Sequence, residues 1–212
     1  MTQKEASIIK KYQISLFFIL TFVISGIIAI PLLLSIHHII PVKLPGFIAL
    51  IAASGPTIAA IIITYLSDGR EGLATLLKGL KQWRIRLKWY LFALLLYPAI
   101  MLVSAVIIVL FGGKFPPIPE KLPSLIPIFL ILTVQAGIGE EIGWRGYATP
   151  HLQKRFSGLT ACLIVSVIWT AWHLPLFWMP GGLQTDMWKE VGFIASVAFY
   201  GIHLTASSII FT

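Results

Sequence analysis

Six stretches of the chain carry no charged side chain over lengths unusual for a soluble helix: residues 12–36, 44–67, 89–113, 122–139, 156–185 and 191–212. They run to 25, 24, 25, 18, 30 and 22 residues. An α-helix rising 1.5 Å per residue needs about 20 apolar residues to cross a hydrocarbon core about 30 Å thick. Each stretch therefore predicts a transmembrane helix, the fourth only if its helix runs on past Glu140. Between the second and third, over residues 68–88, charges alternate with Leu73, Leu76, Leu77, Leu80 and Trp83 at spacings of three and four. That pattern predicts an amphipathic helix lying in the membrane interface. Prolines at 116, 117, 119 and 123 predict a stiff, extended outer loop before the fourth span. The expected fold is all-α: a polytopic membrane helix bundle of about six transmembrane helices and one interfacial helix. The chain shows no internal repeat, low-complexity tract or interdomain linker.

Composition agrees with this pattern. Hydrophobic residues make up 58% and charged residues 11%, against roughly 25% charged in soluble domains. Soluble, disordered and fibrous classes are excluded. Cys162 is the single cysteine and sits in an apolar run, which excludes a disulfide framework or a cysteine-based zinc site. The net charge of +8 would suggest nucleic acid in a soluble protein. Here it fits basic loops against anionic lipid headgroups, and the expected partner is the bilayer, with no nucleic acid. Lys4, Lys10 and Lys11 before the first span resemble a signal peptide. The apolar stretch exceeds a typical h-region of about 7–15 residues, so an uncleaved anchor is expected. With the N-terminus cytoplasmic, twelve Lys and Arg residues fall on the cytoplasmic side and four outside, or eleven to four with Arg145 in the membrane. The positive-inside bias thus predicts a multi-pass cell-membrane protein with a cytoplasmic N-terminus.

Function is sought where burial is costly, since a charge at the bilayer centre costs about 3 kcal/mol or more. Two places qualify. Gly139-Glu140-Glu141-Ile142-Gly143-Trp144-Arg145-Gly146-Tyr147 ends the fourth apolar run, and Trp169-Thr170-Ala171-Trp172-His173-Leu174-Pro175 lies deep in the fifth. On a helix Glu141 and Arg145 stand at i and i+4 in the favourable order and can pair. Glu140 is turned by about 100° from its neighbour, beside Trp144, with no cation of its own. Those surroundings suit a carboxylate acting as a general base near neutral pH. The plainer alternatives are a pair of glutamates capping a helix end in water and a core histidine bonded to a backbone carbonyl. If Glu140 and His173 work together, they must converge on one cavity. That requires the fourth helix to continue to about Tyr147, with Pro150 as its stop and residues 154–158 as an interfacial turn.

Glu140-Glu141-Ile142-Gly143-Trp144-Arg145 resembles the first motif, Glu–Glu–x–x–x–Arg, of the CPBP family of intramembrane proteases. That family includes the Rce1-like type II CAAX prenyl endopeptidases and bacterial immunity (Abi) and processing proteins. Trp169-Thr170-Ala171-Trp172-His173 resembles its second motif, aromatic–x–x–x–His, with Trp169 where Phe is usual. The resemblance divides the chain into an N-terminal membrane-spanning region, 1–120, and an incomplete protease core, 121–212. It implies hydrolysis of a peptide bond in a hydrophobic or lipidated substrate near the cytoplasmic face. Glu140 would activate water, His173 would hold that water or polarise the carbonyl, and Glu141, Arg145, Trp144 and Trp169 would support them. The family's further motif, His–x–x–x–Asn, has no good match. His203-Leu204-Thr205-Ala206-Ser207 has the histidine and the spacing but ends in Ser. A helix carrying that motif is expected beyond Thr212, and a chain without it would be incomplete as an enzyme.

A divalent metal such as zinc stays open as a cofactor, as does metal-free catalysis. No His-Glu-x-x-His occurs, and Glu140 with His173 supply two ligands where catalytic zinc takes three. Two other classes also stay open. One is a non-catalytic membrane binding or immunity protein of the same fold. The other is a small proton-coupled transporter burying a Glu and a His, although inverted repeats are not seen.

Overall fold

The computed structural model describes residues 3–115 and 126–210. The four prolines expected to stiffen the outer loop lie outside the described residues. All regular structure among the described residues is helical: α1 Gln3–Ile36, α2 Ile48–Ala52, α3 Gly55–Leu76, α4 Leu87–Leu110, α5 over 126–153, α6 Gly158–His173, α7 Leu183–Val191 and α8 Phe193–Ile210. Five segments are long and apolar enough to cross a membrane: Ser7–Ile36, Ile48–Lys81, Leu87–Leu110, Gly158–Trp178 and Phe193–Ile210. The protein is an all-α, multi-pass membrane bundle. From residue 126 the fourth charge-free stretch is helical too, with nine α-helical residues, Ile126–Val134, leading into a less regular winding.

The chain forms two compact units. The first comprises Met1–Leu77 and Leu132–Thr212. Its core joins Phe17 of α1, Ala59, Ala60 and Ile63 of α3, Trp144, Tyr147, Ala148 and Leu152 of α5, Ala161, Val165 and Trp169 of α6, and Leu204 of α8. Small residues bring α3 and α5 close. A Cβ added at Gly143 would lie 2.5 Å from the Pro56 carbonyl carbon, so only glycine permits this approach. The second unit, Lys78–Ile131, is built on α4, whose surface is exposed and apolar almost throughout.

Two expectations need correction. The interfacial helix does not extend over 68–88. Gly69 takes a left-handed φ of 65° and kinks α3, the helix ends at Leu76, and a 3-10 turn covers Leu77–Lys81. Residues 82–86 are then irregular, with Arg86 extended. The glycine sets residues 70–76 off from the rest of α3, and the leucine spacing sustains the α-helix only as far as Leu76. Pro150, in turn, does not stop the fourth helix, which continues to Gln153. Within α5 the stretches Gln135–Glu140 and Trp144–Ala148 are wound as π-helix. Pro150 follows the second of these, where the i→i−4 ladder that a proline disrupts is already interrupted.

Candidate active site

The irregular winding of α5 sets the orientation of its acidic residues. π turns carry an extra residue and leave backbone carbonyls poorly served within the helix. Here two threonines serve them. Thr57 of α3 donates to the Ile138 carbonyl at 2.6 Å, and Thr149 donates to the Trp144 carbonyl at 2.9 Å. Glu140 lies at the end of the first π stretch, with φ −117° and ψ −50°. Its Oε2 accepts the indole N–H of Trp169 at 2.9 Å. Glu141, one residue on, faces Arg145 instead, with Oε1 and Nη1 2.9 Å apart.

Arg145 also donates from Nη2 to Ser208 Oγ of α8 at 3.2 Å, and its guanidinium lies 4.1 Å from the centre of the Trp169 ring. One cation thus ties α5 to both α6 and α8, using the planar fork and the aromatic contact that distinguish Arg from Lys. Trp144 is fully buried, with ring centres 5.7 Å from Phe17, 6.5 Å from Trp169 and 6.0 Å from Trp172. It is a packing residue between α1, α5 and α6.

His173 ends α6, and Pro175 in the following 3-10 turn, Leu174–Trp178, prevents the helix from continuing. Its Nδ1 lies 2.9 Å from the Trp169 carbonyl. A carbonyl only accepts, so Nδ1 carries the proton and the Nε2 of the neutral ring keeps its lone pair. His173 is therefore bonded to a backbone carbonyl, as the plainer alternative expected. Three rings hold it: Trp169 at 5.6 Å, Trp172 at 4.8 Å and Tyr200 of α8 at 5.3 Å between centres.

Glu140 and His173 line one cavity of about 380 Å³. Its other walls come from α1 (Phe22, Ser25, Gly26, Ala29), from Ala49 and Ala52 of α2, and from the 3-10 turn after His173. The cavity is apolar except around Ser25, Glu140 and His173. His203 is exposed and is not among the residues lining it. Among the described residues no third His, Cys, Asp or Glu joins Glu140 and His173 in a group able to hold a metal ion. These residues alone do not make up a catalytic zinc site, which takes three protein ligands.

Sequence reasoning missed Ser25 and Tyr200. Ser25 is one of many small polar residues in apolar helices, and nothing local distinguishes it. Tyr200 had a weak signal, a phenol inside the apolar run that follows His173.

Comparison with known proteins agrees with the motifs. Residues 122–212 match the family described as type II CAAX prenyl endopeptidase Rce1-like. The chain is also similar to "CAAX prenyl protease 2" of Methanococcus maripaludis, with 29% identity over an alignment of 175 residues that covers 77% of this chain. It spans 62% of the length of that relative. The C-terminal region of the chain is thus similar to the Rce1-like family, and the similarity to the relative reaches well beyond that region.

Proposed function

We propose that this protein is an intramembrane endopeptidase that hydrolyses a peptide bond in a hydrophobic or lipidated membrane-associated substrate. One observation carries the reading: Glu140 and His173, from consecutive helices, line a single cavity whose remaining walls are largely apolar. A cavity of this kind accepts an apolar chain and offers polar groups at one end only. The relative's printed name supports a prenylated CAAX protein as substrate. Residues 121–212 form the proposed protease core.

In the proposed reaction, water lies between the Glu140 carboxylate and Nε2 of His173. Glu140 takes one proton as the oxygen attacks the scissile carbonyl carbon, giving a tetrahedral intermediate. The carbon–nitrogen bond then breaks as that proton passes from Glu140 to the leaving amine, and the new carboxylic acid gives up water's second proton, to the freed amine or to solvent, to become a carboxylate. The Trp169 N–H fixes the carboxylate while leaving its second oxygen for water. Glu141 is held by Arg145 and takes no part in proton transfer.

The test is cleavage of a farnesylated CAAX peptide by the protein in proteoliposomes. Glu140→Gln is expected to lower the rate at least ~10³-fold with an unchanged melting temperature. A Glu140→Gln protein that cleaves at the wild-type rate overturns the reading. So does a wild type that cleaves nothing while moving protons across the vesicle membrane.

A further inference from the structure

Ser25 belongs to α1, far outside the family match at 122–212, yet it lines the cavity beside Glu140 and His173. It is 8% exposed, and its hydroxyl both donates and accepts a hydrogen bond. Trp172 Nε1 donates to Ser25 Oγ at 2.9 Å, and Ser25 Oγ donates to the Ala52 carbonyl at 2.8 Å. The direction of both bonds is fixed, because an indole N–H only donates and a carbonyl only accepts. The Trp172 ring meets His173 nearly edge-on, with planes at 86° and centres 4.8 Å apart. A continuous path of contacts therefore runs from the end of α2 through Ser25 and Trp172 to the histidine.

The serine has little room to move. A Cβ added at Gly55 would lie 2.0 Å from Ser25 Oγ and 3.3 Å from its Cβ, so the start of α3 closes the space behind the hydroxyl. On its other sides His173 is already fixed by the Trp169 carbonyl and by the Trp169 and Tyr200 rings. Trp172 is the neighbour that itself lines the cavity, where it could turn into open space if its indole N–H were released.

We propose that Ser25 is a positioning residue of the site: by holding the Trp172 indole it fixes the orientation of the His173 ring towards Glu140. The proposal rests on the protease reading for its effect on rate, and on geometry alone for its effect on His173. Ser25 has no proton-transfer role here, since its one proton is committed to Ala52. Its removal should slow turnover more than it weakens binding.

Two measurements on the full chain in proteoliposomes test this. In cleavage of a farnesylated CAAX peptide, Ser25→Ala is expected to lower kcat roughly tenfold with KM within about twofold. Trp172→Phe should give a similar loss, and the double variant should be no worse than either single one, because both cut the same path. Losses that multiply, or a kcat within about twofold of wild type in Ser25→Ala, overturn the proposal. The second measurement needs no activity. In histidine-labelled protein, with five histidines in the chain and His173 assigned through His173→Gln, the His173 ring signal should shift in Ser25→Ala and in Gly55→Ala, while that of His203 stays put. An unmoved His173 signal overturns the proposal whether or not the wild type cleaves. A His173 signal shifted in both variants, alongside a wild type that cleaves nothing, sinks the protease reading and upholds the positioning of His173 by Ser25.

Discussion

Glu140 and Glu141 are chemically identical and adjacent, and their partners separate them. Glu141 faces a guanidinium at 2.9 Å; Glu140 faces a neutral indole N–H at the same distance. The first carboxylate is committed to an ion pair, whereas the second accepts a hydrogen bond from a neutral donor. The i, i+4 spacing made the first pairing legible from sequence. The second depends on the register of α5 against α6, twenty-nine positions apart, which no local pattern encodes. Arg145→Ala tests the sorting. It leaves Glu141 without its cation and frees the Trp169 ring, and it should destabilise the fold by about 2 kcal/mol. That is below the full cost of stranding a buried charge because the Glu141 side chain keeps 34% of its exposure. Activity should fall with stability, since the same guanidinium rests on the ring that holds Glu140. Denaturant titration and peptide cleavage on one preparation measure both, and a harmless Arg145→Ala would return the glutamates to the solvated helix end.

At the scale of elements, the informative departure is α5. Charge-free length and spacing were enough to read most of the spans, because hydrocarbon imposes length and apolarity on any helix that crosses it. The π turns were not readable. They arise from packing: Gly143 lets α3 approach, and Thr57 offers a hydroxyl to the Ile138 carbonyl just before Glu140. Gly69 was visible as a glycine, but its left-handed φ, which kinks α3 where the expected interfacial helix begins, follows from the turn of the chain and not from the residue type. If Thr57 supports the first π turn, Thr57→Val keeps the side-chain shape and removes only the hydroxyl. The expected cost is about 1 kcal/mol, one neutral hydrogen bond to a carbonyl. Cleavage should also fall, because a relaxed turn rotates Glu140 away from the cavity. A Thr57→Val protein with lower melting temperature and full activity would separate the turn from the site.

At the scale of the whole molecule, the remaining question is which way the bundle lies in the membrane. The proposed orientation has the N-terminus and residues 68–88 cytoplasmic, and it rests on eleven basic residues against four across the two faces. Lys43 and Lys81 bracket the second apolar segment, Ile48–Lys81, and both are exposed. A helix that crosses the bilayer between them must leave them on opposite sides. Cysteine substitution can read this without background, because the native Cys162 is buried at 4% exposure within α6. With a membrane-impermeant maleimide added to intact cells, Lys43→Cys should label directly and Lys81→Cys only after permeabilisation. Labelling of both from outside would mean that the segment does not cross. Labelling of Lys81→Cys alone would invert the bundle. The cluster of basic side chains at 78, 81, 84, 86 and 88 would then lie on the outer face, against the direction in which such clusters are retained. Inversion would also move Glu140 and His173 towards the opposite compartment, and a cytoplasmic lipidated peptide could no longer be their substrate.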